Sequence, residues 1–145
     1  MSKAYQSAIG LLARREHSVS ELRAKLESIG YSFDEVTSVL SRLKNLELQS
    51  DERFVDMVCR SRINQGYGPI RVHKELQQKG VDTELIESRL AIEHENWVSY
   101  ATAVWQKKFY RQREYSYSEI QKQKKFLLYR GFTMDTISLV FENLA

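Results

Sequence analysis

RVHKELQQKGVDTELI, residues 71–86, decides how this chain folds. Val72 and Leu76 lie one helical turn apart, Gly80 interrupts the pattern, and Asp82 precedes a second periodic stretch. A glycine just past a helix can take the left-handed conformation without a Cβ clash. A Ser, Thr or Asp two residues later can accept a hydrogen bond from the first free N–H groups of the next helix. The stretch therefore predicts helix, glycine turn, helix.

The same punctuation occurs in ELRAKLESIGYSFDEV from Glu21 and QKKFLLYRGFTMDTI from Gln123. Gly30, Gly80 and Gly131 stand 50 and 51 residues apart, followed by Ser32, Asp82 and Thr133. Upstream, Ser18 with Glu21 and Ser116 with Glu119 have capping-box spacing, as does Ser32 with Glu35. Gly68–Pro69 supplies an N-cap and a first-turn proline whose missing N–H costs nothing. Amphipathic stretches near residues 4–15, 51–65 and 95–112 add one helix ahead of each pair, the last of them expected to be longer than the rest. With one proline in 145 residues and no β-branched runs, the expected fold is all-α. It comprises three tandem three-helix repeats, about nine helices, at residues 1–48, 49–93 and 94–145. A period near 50 residues implies an elongated, curved array.

Composition narrows the chemistry. Cys59 is the single cysteine, so no disulfide or CxxC site is available. His17, His73 and His94 lack metal-ligand spacing, and no local signature for nucleophilic catalysis appears. A non-enzymatic protein without cofactor or metal is expected. The apolar stretch near the N-terminus is broken by Gly10 and followed by Arg14 and Arg15, too short for a signal peptide or a membrane span. The expected location is the cytoplasm, and the expected state a monomer.

Charge is the remaining signal. The net charge is +3, but Lys107, Lys108, Arg111, Arg113, Lys122, Lys124, Lys125 and Arg130 face only Glu114 and Glu119 between residues 107 and 130, a local +6. A second block, Arg53, Arg60, Arg62, Arg71, Lys74 and Lys79 against Asp56 and Glu75, carries +4. These fourteen cations are the candidate contacts to an acidic protein groove or to nucleic acid. Gly30, Gly66, Gly68, Pro69, Gly80 and Gly131 are expected to be structural. Ile70, Val72 and Leu76 are expected to form an inward stripe, with Phe54, Met57 and Val58 inward on the preceding helix. The sequence GYGP at 66–69 lacks the lysine and hydroxyl of a phosphate-binding loop. A helix–turn–helix DNA reader, with Arg71, His73, Lys74 and Gln77 or Gln78 facing the groove, is the alternative reading.

The stretch LQSDERFVDMVCRSRINQGYGPIRVHKELQQKGVD, residues 48–82, strongly resembles the central signature of the RecX family, bacterial regulators of the RecA recombinase. SVSELRAKLESIGY and KKFLLYRGFTMDTI resemble the flanking repeats. The signature falls on Asp51, Phe54, Arg60, Arg62, Gly66, Gly68, Pro69, Arg71, Glu75, Leu76 and Gly80. His73, the Asn64–Gln65 pair and RQREYSYSE depart from it. The resemblance implies a protein acting in DNA repair, homologous recombination and the SOS response. It would lie along the groove of RecA–single-stranded DNA filaments, block extension or promote disassembly, and lower strand exchange, ATP hydrolysis and co-protease activity. RecA, its DNA filament and single- or double-stranded DNA itself are the implied partners, and no catalytic residues are carried over.

Overall fold

The computed structural model describes residues 2–110 and 116–143, and among them the fold is nine α-helices without a strand. They are α1 Lys3–Arg14, α2 Val19–Ile29, α3 Phe33–Asn45, α4 Asp51–Asn64, α5 Pro69–Gln78, α6 Thr83–Ile92, α7 Trp97–Phe109, α8 Tyr117–Tyr129 and α9 Met134–Glu142. The helix expected to be longest, α7, has 13 residues against 14 in α4.

Glycine turns end four of the helices. Gly30, Gly66, Gly80 and Gly131 all have positive φ. At each, the next residue's N–H reaches back to a carbonyl in the helix's last turn: Tyr31 to Leu26, Tyr67 to Arg62, Val81 to Leu76, and Phe132 to Leu127. These are Schellman closures, which satisfy carbonyls the helix leaves without partners. α3 closes in the same way without a glycine: Glu47 takes φ 59°, and the Leu48 N–H donates to Leu43 O at 2.9 Å. The starts of helices follow their caps. Ser18 and Ser32 form complete capping boxes, while the Ser116 and Thr133 side chains accept from Glu119 N and Thr136 N.

The chain divides into two compact units, and the division does not follow the repeats. One unit comprises Met1–Val58 with Leu76–Ile86, the other Cys59–Glu75 with Glu87–Ala145, so the boundary passes through α4 and α5.

In the first unit, α1, α2 and α3 pack on one another around Ala4, Tyr5, Ala8, Leu22, Leu26, Val36, Val39, Leu40 and Leu43. The end of α5 is joined to the start of α2. Ser18 Oγ donates to Lys79 O at 2.8 Å, and a Cβ on Gly80 would lie 2.5 Å from Ser20 Oγ. Asp51 Oδ1 accepts from Val19 N and from Gln49 Nε2, both at 2.8 Å. Buried Glu21 receives Arg15 at 2.6 Å and Lys79 at 3.3 Å. Burial alone would raise its pKa, but hydrogen bonds and charge from Arg15, then Lys79, prevail and lower it to about 2. Buried His17 donates from Nδ1 to Arg15 O and accepts the Lys25 ammonium at Nε2, each at 3.0 Å. Burial lowers its pKa against the raising effect of the Arg15 carbonyl, and the neutral ring suits this pair of partners.

In the second unit, α7, α8 and α9 enclose Trp97, Ala101, Trp105, Leu127, Phe132, Ile137 and Val140. Trp105 Nε1 donates to buried Gln123 Oε1 at 2.7 Å. The start of α5 is joined to the end of α8: Gly68 N donates to Arg130 O at 2.8 Å, and Ile70 N to Gly131 O at 3.0 Å. A Cβ on Gly68 would fall 2.5 Å from the Gly131 carbonyl, which only glycine permits.

The inward stripe holds at Val72 and Leu76, both fully buried, and at Phe54 and Val58, while Met57 is half-buried. Ile70 does not join it: the residue is 53% exposed, its N–H being drawn to the Gly131 turn in the first turn of α5. Cys59 is buried, as its place on an amphipathic helix requires.

Candidate partner-binding surface

The fourteen candidate cations separate by what their side chains already do. Arg111 and Arg113 lie outside the described residues. Arg53, Lys79 and Arg62 are engaged in ion pairs. Arg53 reaches Glu16 Oε1 at 3.1 Å and Glu47 O at 2.9 Å, and Lys79 reaches Glu21. Arg62 makes a two-pronged contact with Glu75, at 2.6 and 2.7 Å, tying α4 to α5. The hydrogen bond from Glu75 raises the already high pKa of Arg62.

Four others lie over aromatic rings. In the second unit they form a ladder in which cation and ring alternate. Lys108 Nζ stands 5.6 Å from the Phe126 ring centre, and the Arg130 guanidinium lies 5.3 Å from Phe126 and 5.0 Å from Tyr67. Arg71 continues it, 4.4 Å from Tyr67 and 5.5 Å from Tyr129. Each such contact is worth about 0.5–1 kcal/mol at an exposed site. Lys124 lies 5.6 Å from Phe141, apart from this ladder. Lys74, Lys107, Lys122 and Lys125 are exposed and make no ion pair among the described residues, and Arg60 is exposed on α4.

The ladder borders an open cleft of about 520 Å³ between the end of α4, α7 and α8. Ile63, Ala103, Val104 and Phe126 give it an apolar floor, and Lys107, Lys108 and Arg130 a cationic rim. Arg130 also donates to Gln65 O at 3.2 Å. Tyr100 forms one wall, its hydroxyl donating at 2.7 Å to buried Glu93. That bond, outweighing burial and aided by Asn96 and Arg89, lowers the Glu93 pKa; the same bond, with burial adding to it and Arg89 and Asn96 opposing, raises that of Tyr100.

The start of α5 is not available to a partner in the same way. A phosphate cradle needs unspent N–H groups at the start of α5. Pro69 has none, and those of Gly68 and Ile70 are bonded to the Arg130–Gly131 turn. The chemistry of this region therefore belongs to side chains. Neither the cleft nor the ladder was legible as a unit in the sequence. Its one signal was the spacing of four between Tyr67 and Arg71 and between Phe126 and Arg130. Among the described residues no group of His, Cys, Asp and Glu is arranged to hold a metal, and no helix is long and apolar enough to cross a membrane.

Fold and surface together define a class: an all-α protein of tandem three-helix units whose polar side chains are either tied into the junctions or displayed as a cationic, partly aromatic face. The family models for the first, second and third three-helix domains of RecX match residues 4–43, 50–90 and 98–141. The chain belongs to the RecX family. It is 53% identical over 142 residues to the regulatory protein RecX of Legionella pneumophila strain Corby, covering 98% of this chain and 95% of that one. With the regulatory protein RecX of Pseudomonas entomophila it shares 39% over 132 residues, 91% and 85% of the two chains. The crystal structure of RecX from Lactobacillus salivarius superposes with a TM-score of 0.88 at 26% identity, covering 98% of this chain and 94% of that one. The relatives are named as regulatory proteins, not as enzymes.

Proposed function

We propose that the chain is a cytoplasmic, non-enzymatic regulator of RecA. In this reading it binds along the groove of RecA–single-stranded DNA filaments and inhibits recombinase and co-protease activity by blocking extension or promoting disassembly. The observation that carries the reading, beside family membership, is the exposed set Lys74, Lys122 and Lys125. These side chains are spent on no internal ion pair among the described residues, unlike Arg53, Arg62 and Lys79. Repeated three-helix units allow one chain to touch several identical subunits of a polymer, so modest contacts multiply through effective concentration. Cations of this kind speed encounter with an acidic filament and make binding sensitive to salt.

The test is inhibition of RecA ATPase on single-stranded DNA, with binding to the same naked DNA measured beside it. Reversing all three charges, Lys74→Glu, Lys122→Glu and Lys125→Glu, is expected to weaken inhibition roughly tenfold with the melting temperature retained. Equal inhibition by the triple variant would remove the charge argument. Binding naked DNA as tightly as the filament, or sequence-dependent binding to duplex, would replace the proposal with that of an autonomous DNA-binding protein.

A further inference from the structure

We infer that the cleft between the end of α4, α7 and α8 docks an acidic peptide segment through one large apolar side chain, so that this part of the surface meets protein rather than nucleic acid. The inference builds on the reading of the chain as a filament-binding protein and assigns one part of its basic surface to one kind of contact.

Three observations lead to it. First, the floor is apolar and mostly aliphatic. Ile63, Ala103 and Val104 give a nucleobase nothing to stack on, whereas single-strand binders depend on open aromatic faces. Second, the aromatic groups present are already engaged: Phe126 lies beside both Lys108 and Arg130, and the Tyr100 hydroxyl is committed to Glu93. An inserted base would displace contacts without replacing them. An aliphatic or phenyl side chain would instead exchange water for Ile63, Ala103 and Val104, a gain that scales with the apolar area covered. Third, the rim is of one sign. Lys107, Lys108 and Arg130 surround the opening, and no carboxylate lines it among the described residues. Acidic neighbours of the inserted side chain would meet those cations, which fixes orientation and excludes basic peptides. The space is enough for one large side chain with adjoining backbone and lies in the usual range for ligand sites. Gly66 helps to keep it open, since a Cβ there would stand 3.2 Å from Val104 Cγ2.

The test uses the full chain with Ile, Ala and Val methyl groups labelled for NMR. The probes are a short peptide of Asp and Glu around a central Phe, the same peptide with a central Ala, and an oligothymidylate. Saturable shifts at the methyls of Ile63, Ala103 and Val104 are expected with the Phe peptide, and binding roughly tenfold weaker with the Ala peptide. Lys107→Glu with Lys108→Glu should weaken the Phe peptide by a similar factor. Ala103→Glu, at an exposed position on α7, should abolish the response while leaving the remaining methyl spectrum unchanged. Methyls unmoved by the Phe peptide, equal responses to both peptides, or a stronger response to oligothymidylate would each overturn the inference. RecA is absent from this titration, so its failure leaves the filament reading standing. Failure of the unaltered chain to inhibit the filament, with peptide binding intact, would remove that reading alone.

Discussion

Replacing Gly68 with alanine places a methyl group where only backbone is available to receive it. Its Cβ would lie 2.5 Å from both the carbonyl carbon and oxygen of Gly131 and 2.6 Å from Phe132 N, so relief requires that two turns move apart. The separation would strain or break the bonds Gly68 N to Arg130 O and Ile70 N to Gly131 O. Overpacking of this kind costs about 1–3 kcal/mol, and each of two lost hydrogen bonds about 0.5–1.5 kcal/mol. Because the two contributions overlap, a loss of about 2–4 kcal/mol is expected, or roughly 4–16 °C in melting temperature. Two controls separate this cause from others. Gly30→Ala changes a residue at φ 118° with nothing within 4 Å of its Cβ, so it should cost only the backbone penalty of about 1–2 kcal/mol. Gly10→Ala, in α1 with equally open space, should stabilise by about 0.5–1 kcal/mol. Urea unfolding followed by circular dichroism measures all three. A Gly68→Ala midpoint within about 0.5 kcal/mol of the parent, or no costlier than Gly30→Ala, would refute the claim that the turns are in rigid contact.

Glu47→Gly should raise stability by about 0.5–1 kcal/mol in the same assay, since a left-handed position closing α3 is held by a residue with a Cβ; a neutral or negative change would sink that explanation. Stability should fall as the pH drops below about 4.5 toward 2, because Glu21 ionises more readily folded than unfolded, and its contribution is fully present above the unfolded value. The shift corresponds to about 3 kcal/mol, and Glu21→Gln should flatten this part of the stability profile; an unchanged slope would assign acid sensitivity to other groups.

Local punctuation was legible in the sequence because it depends on single residues at fixed offsets. Gly30, Gly80 and Gly131, with the caps at Ser18, Ser32, Ser116 and Thr133, announced where helices end and begin. Glu47 escaped because nothing about a glutamate marks a left-handed residue, and Ile70 was misplaced because periodicity ignores a turn some 60 residues away. The candidate surface was legible as charge but not as arrangement. Lys79 and Lys74 look alike in the sequence, yet one is paired with buried Glu21 and the other is exposed. That difference comes from chain brought close by folding, which no local window contains.

The junctions explain why the compact units cut across the repeats. A helix leaves carbonyls unpaired at its end and N–H groups at its start, and its dipole makes the first negative and the second positive. Here one repeat's need answers another's. Lys79 O at the end of α5 is taken by Ser18 at the start of α2, and Arg130 O at the end of α8 by Gly68 at the start of α5. Val81 and Phe132, the residues after the two glycines, are buried at the same turns. The middle repeat consequently contributes Leu76–Ile86 to one compact unit and Cys59–Glu75 to the other, and excising it would leave both of its helix-end contacts without partners. The same pairing determines what remains for a partner. At the start of α5 the N–H groups of Gly68 and Ile70, of the kind that commonly bind anions, are consumed in joining α5 to the end of α8, so in the function proposed above contact with a partner rests on side chains such as Lys74, Lys122 and Lys125.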